Sequence, residues 1–307
     1  MISQSFRRLC AAWLLTASTL CGESIAGADW LDQRLKSDRT GDHLSCSSCH
    51  ADTRVMSGGT AGLGDRRADP LFVSSVIDRV SETSILALAD PADADGDGIS
   101  GRASWVLSLR DKRPAVGRFG WKATVATLED QIANALATDM GLANALLAYA
   151  DDTCFADEPG CLVANTRAGS GLLAPLSAAV RARQHADASA NEAGLALLRQ
   201  AGCTACHQPS LEDVSGQPLL LFSDLLLHDL GLELREEERV GSAGLTEWRT
   251  APLLGLSQKS AFLHDGRAGS ITDAVKAHGG EATQSKNSFL ALSAAEQVGL
   301  IEYLLSL

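Results

Sequence analysis

Cys46-Ser-Ser-Cys49-His50 and Cys203-Thr-Ala-Cys206-His207 are two copies of one pattern, Cys-x-x-Cys-His, and they decide how the rest of the 307-residue chain is read. This is the attachment sequence of a c-type haem. Two thiols one helical turn apart can each bond a haem vinyl group, and the next residue offers an imidazole to the iron. A four-cysteine zinc site would leave both histidines unexplained and would have to bridge about 150 residues. A thioredoxin-like redox pair does not account for the duplication. Disulfides across three residues have poor geometry. The expectation is two covalently bound haems, held by Cys46, Cys49 and His50 and by Cys203, Cys206 and His207, with His50 and His207 as iron ligands.

Composition agrees with such a protein. Apolar residues make up 45% of the chain and charged residues 21%, the balance of a folded globular protein. Aromatics supply only 5%, so a bulky cofactor is a reasonable filler for an Ala- and Leu-rich helical core. With 26 basic against 38 acidic side chains the net charge is −12, which argues against a nucleic-acid partner. Arg7 and Arg8 precede an apolar run from Leu9 to Leu20 and small residues at Ala26-Gly27-Ala28. That is the three-part pattern of a secretory signal over residues 1–28, too short for a membrane span, and it predicts a periplasmic protein with no integral membrane segment after cleavage. Leu20 is too bulky to precede a lipidated Cys21. An exporting route also supplies the oxidising compartment in which Cys154 and Cys161 could close a turn-rich loop as a disulfide.

The two motifs divide the mature chain into an N-terminal haem domain over residues 29–185 and a C-terminal cytochrome c-like haem domain over 186–307. Asn191 to Ala201 reads as a short amphipathic helix delivering the second motif, and Ser293-Ala-Ala-Glu296 as a capping box opening a final helix. Glycines 58, 59, 62 and 64 predict a loop after His50, and helix is expected from Thr127 to Tyr149. A connection is expected over about 164–190. Period-two alternation is confined to short pieces such as Ser104 to Leu109, so the fold class is mainly α, without a sheet of any size.

At this point the chain resembles the di-haem cytochrome c peroxidase and MauG superfamily, and in particular its di-haem oxidoreductase branch. The resemblance is carried, beyond the two motifs, by Asp95-Gly-Asp97-Gly-Ile-Ser-Gly-Arg102, Gly117-Arg-Phe-Gly-Trp121-Lys-Ala, Asp139-Met140-Gly141, Glu247-Trp-Arg-Thr-Ala-Pro252 and Phe262-Leu-His264-Asp-Gly-Arg-Ala268, in that order. It implies one haem with an open iron face for hydrogen peroxide and a second, six-coordinate haem that stores electrons. Family peroxidases often plug the first iron with a histidine from the following loop. Here no His stands between His50 and His185, and Met56 is the nearest other ligand, although a packing methionine in a loop is the simpler reading.

The resemblance further implies that Gln131 and Asp139 match the distal Gln and the acid/base carboxylate, and that Trp121 matches the tryptophan between the haems. From the residues alone, Asp139 reads equally as a surface Asp closing a helix, and Trp121 as a core indole. His278, in Asp273-Ala-Val275-Lys-Ala-His278, stands where the peroxidases carry a distal Met and MauG a Tyr, which implies a bis-His second iron. His228 is the backup ligand, and His264 a residue beside the site. Asp93, Asp95 and Asp97 alternate as in a calcium loop, although the closing Glu of an EF-hand is missing and a solvated acidic turn is the plain alternative. The expected activity is reduction of peroxide with electrons from a small cytochrome or cupredoxin. The alternatives are a MauG-like oxidation of side chains on a protein substrate and a non-enzymatic di-haem electron-transfer cytochrome.

Overall fold

The computed structural model describes residues 66–140, 142–147, 171–183 and 191–307, together with Cys46, His50 and the backbone of short strands at 35–36, 43–44 and 55–56. The signal segment 1–28, Cys49, glycines 58–64, Cys154, Cys161 and His185 lie outside the described residues.

Eight α-helices are present among the described residues: α1 Leu71–Arg79, α2 Glu82–Leu86, α3 Leu128–Asn134, α4 Leu173–Arg181, α5 Glu192–Gln200, α6 Ile271–Ala277, α7 Thr283–Ala291 and α8 Ala294–Ser306. Their starts follow local chemistry. Ser81, Thr127, Asn191, Ser270 and Ser293 each accept a backbone N–H at the N-cap of α2, α3, α5, α6 and α8, satisfying donors that have no partner within the helix. Ser293 and Glu296 form the expected capping box.

Strands pair only in two-stranded antiparallel ribbons, the longest being Ser104–Leu107 with Pro114–Gly117, as the absence of alternation predicts. A second ribbon, Leu227–Asp229 with Glu247–Arg249, lies deep in the structure and carries the fully buried Leu227.

In the N-terminal half α1, α3 and α4 pack together over Ile77, Leu128, Leu176 and Val180, all buried. In the C-terminal half α5 crosses α8 at Gly194, where an added Cβ would stand 2.2 Å from Cγ of Tyr303. Only glycine allows that approach. The halves are stitched by Arg102, which bridges to Leu227 and donates to Glu247 at 2.6 Å, and by the Ser81 amide donating to the Glu212 carbonyl at 2.9 Å.

Two expectations are corrected. Helix from 127 does not run to 149: α3 passes into a π-helical turn, Ala135–Asp139, and residues 142–147 are not helical. The reason is Asn144, buried, whose side-chain oxygen accepts the amides of Leu146 and Leu147 while its amide donates to the Ala133 carbonyl. Within the expected connection over 164–190 stands α4, because Leu173, Leu176, Ala179 and Val180 recur at helical spacing and bury one face.

Candidate active site

Helix α5 ends at Gln200, Gly202 turns the chain at φ 73°, and a 3₁₀ turn over Cys203–Ala205 follows. The His207 amide donates to the Cys203 carbonyl at 2.9 Å, so the second motif is one helical turn with both thiols and the imidazole on it. Gly202 is required there: its carbonyl accepts from Ser285 Oγ at 3.0 Å, and a Cβ would stand 3.1 Å from that same atom. Burial pushes the Cys203 thiol up to about 11 and also raises Cys206, so neither is a thiolate suited to zinc or redox exchange at neutral pH.

Three histidines share one arrangement. His207 Nδ1 donates to the Phe222 carbonyl at 3.0 Å, His50 Nδ1 to the Asp69 carbonyl at 2.6 Å and His278 Nδ1 to the Ala274 carbonyl at 2.7 Å. A carbonyl can only accept, so each Nδ1 carries the proton and each Nε2 keeps its lone pair. No partner for any of the three Nε2 atoms exists among the described residues. Burial lowers the proton affinity of all three, His207 to about 4, so each ring is neutral at pH 7. Neutral imidazoles with Nδ1 tied back and Nε2 exposed are the donors that iron requires.

All three open onto one cavity of about 200 Å³, which Cys203 and Cys206 also line. The second motif, with Cys203, Cys206 and His207 all on the cavity wall, fits a haem; of the first motif, Cys46 and His50 are described and His50 lines the cavity.

Trp121 lines the same cavity, half-buried, with its indole N–H on the Arg67 carbonyl at 2.8 Å. Beside it is a ring contact that the sequence did not show. His264 meets Trp121 edge-on at 6.3 Å and stacks on Trp248 with ring centroids 3.9 Å apart. Burial drives His264 down to about 4, so it is a neutral ring beside the site and not a free cation. Both partners stood in segments quoted for the resemblance, Glu247 to Pro252 and Phe262 to Ala268; only their stacking was illegible. Asp69, whose carbonyl fixes His50, sets its carboxylate 2.9 Å from Lys259 and 3.6 Å from the buried Arg249, all on the cavity wall.

Gln131 sits half-buried on α3 and Asp139 half-buried at the end of the π-helical turn. Neither lines the cavity. In the acidic loop the carboxylates brought together are Asp90, Asp93 and Asp95, not the alternating set of Asp93, Asp95 and Asp97. Asp93 bends the backbone to φ 46°, and Asp97 turns its carboxylate onto the Ile99 amide at 2.8 Å. His228 cannot be a backup ligand in this arrangement: Nε2 is 2.8 Å from Asp224 and Nδ1 2.8 Å from Glu281. Although its burial opposes the charge, the carboxylate of Asp224, with Cys206 and Glu281, pushes it up to about 12.

The model of the family described as "Di-haem oxidoreductase, putative peroxidase" matches residues 42–159 and 172–307. The chain belongs to that family. Membership in this di-haem oxidoreductase family implies two haems. Among solved structures the chain is similar to hydrazine synthase of Kuenenia stuttgartiensis, at 17% identity over 92% of this chain and 86% of that one, TM-score 0.48. It is also similar to the diheme peroxidase BthA of Burkholderia thailandensis E264, at 16% identity over 91% and 84%, TM-score 0.48. A MauG-like protein associated with microbial copper homeostasis matches at 17% identity over 92% and 88%, TM-score 0.44. None of the curated proteins matches the di-haem oxidoreductase. Among its described residues no helix is long and apolar enough to cross a membrane.

Proposed function

We propose that this di-haem oxidoreductase is an exported, periplasmic enzyme that reduces hydrogen peroxide at the His50 end of the cavity, with electrons arriving through the His207 end. The observation that carries the reading is the single cavity onto which His50, His207 and His278 open with Nε2 unengaged. Covalent haem at the two motifs would supply irons able to store electrons and to divide the O–O bond of peroxide. His50 and His207 would be ligands of those irons, and His278 would be a further ligand of the second. Trp121, on the wall between the motifs, relays electrons. Asp139, at the end of the π-helical turn, is the proposed acid/base group and Gln131 of α3 the proposed distal amide, an acid/base role being typically worth 10²–10⁴ in rate. A small cytochrome or cupredoxin is the electron donor, and the acidic loop, at Asp90, Asp93 and Asp95, is the place for calcium. The optical and EPR spectra with and without peroxide test the reading: one high-spin haem that responds to peroxide supports it, and two unresponsive low-spin haems leave a plain cytochrome. One observation favours a second reading. With no His from 51 to 184 there is no histidine plug for the first iron, which suits a MauG-like oxidation of side chains on a partner protein. Turnover with reduced cytochrome or quinol separates the two.

A further inference from the structure

Two indoles, not one, line the cavity between the motifs, and their electrostatic surroundings differ. Lys122, the neighbour of Trp121 in sequence, is only 3% exposed and places Nζ 3.5 Å from the centroid of the Trp248 ring. The guanidinium of Arg66 stands 5.4 Å from the same centroid. Glu236 pairs with both cations, Lys122 at 3.1 Å, so one carboxylate faces two positive charges. Lys122 is further anchored by donating to the Glu247 carbonyl at 2.6 Å. Among the described residues no cation is seated over the Trp121 ring, which meets His264 edge-on and packs against the cluster of Leu234, Trp248 and Ala277.

A cation on the face of an indole is attracted to the electron-rich ring and repelled by a ring that has lost an electron. We infer that Lys122 keeps Trp248 in its reduced form and so confines one-electron oxidation to Trp121, making Lys122 the residue that selects the route between the motifs. The inference deepens the proposed relay through Trp121. It assigns Lys122 a positioning role, through charge, with no contact to the reacting atoms.

The test oxidises the intact di-haem protein with carbonate radical, generated by photolysis of a carbonato-cobalt(III) ammine, and maps the products by peptide mass spectrometry. Each radical takes one electron from an indole and becomes carbonate. The indole cation radical gives its N–H proton to water, a second carbonate radical takes one more electron from the resulting indolyl radical, and water adds with loss of a proton, leaving hydroxytryptophan. In the wild type, Trp121 should accumulate products and Trp248 should not. Lys122→Met should raise oxidation at Trp248 about tenfold, as expected for losing a desolvated cation–π contact. Lys122→Arg, which keeps the charge, should behave as wild type, and Lys122→Gln serves if the Met variant does not fold. Equal Trp248 oxidation with and without the charge would overturn the inference, as would a wild type in which Trp248 reacts faster than Trp121. Carbonate radical needs no peroxide turnover, so a protein inert to peroxide would remove the proposed function and leave this result to be judged separately.

Discussion

His278 donates its Nδ1 proton to the Ala274 carbonyl, one turn back in α6, at 2.7 Å, and so closes the helix as its C-cap with Nε2 turned to the cavity that His207 faces. A solvated helix-end histidine would have no reason to bury its ring or to fix its tautomer. On the proposed bis-His ligation of the second haem, His278→Ala should convert its low-spin EPR signal while His207 coordination persists. His278→Met should keep that haem low-spin and raise its potential, since thioether ligation favours the ferrous state. An unchanged low-spin signal in the Ala variant would remove His278 from the iron.

Asp139→Asn should leave haem content intact and slow the reaction with peroxide by about 10²-fold or more, because the amide keeps the shape and cannot shuttle a proton. The π-helical turn that ends at Asp139 is an irregularity of the kind often retained at functional positions. Stopped-flow absorbance at the Soret band reads the rate, and a wild-type rate would make Asp139 a helix-closing residue.

What the sequence made legible was whatever depends on short spacing: both attachment motifs, the caps at Ser270 and Ser293, the helix before Cys203 and the ribbon at Ser104. What it hid depends on contacts between distant segments. The stack of His264 on Trp248 joins residues whose ring contact no periodicity encodes, and the seating of Lys122 over the Trp248 ring is likewise a contact between distant segments. The end of α3 was misread because Asn144, an ordinary polar residue in a helix-like stretch, spends its side chain on the backbone. The acidic loop was misread because alternation was taken for convergence, whereas positive φ at Asp93 brings in Asp90 instead.

Burial depresses His264 to about 4 in the folded chain, whereas in the unfolded chain it titrates near 6.5. Between those values the unfolded state binds more protons, so stability rises with pH across the window and is lost as the solution is acidified through it. The urea midpoint of the wild type should therefore fall between pH 7 and pH 4.5 by more than that of His264→Gln, whose amide does not titrate. Parallel losses in the two proteins would show that His264 carries no part of the acid sensitivity.

Gly194→Ala places a methyl carbon 2.2 Å from Cγ of the buried Tyr303, and α5 and α8 must move apart to admit it. Overpacking of this kind costs about 1–3 kcal/mol, and thermal melts followed by circular dichroism should show a lower midpoint. A variant as stable as wild type would mean that the crossing yields freely.

The most direct test of the account is the count of covalent haems. Pyridine haemochrome and intact mass of the exported protein should both give two haems per chain, falling to one in Cys203→Ala/Cys206→Ala. A folded holoprotein whose mass carries zinc and no haem would contradict the account at its root.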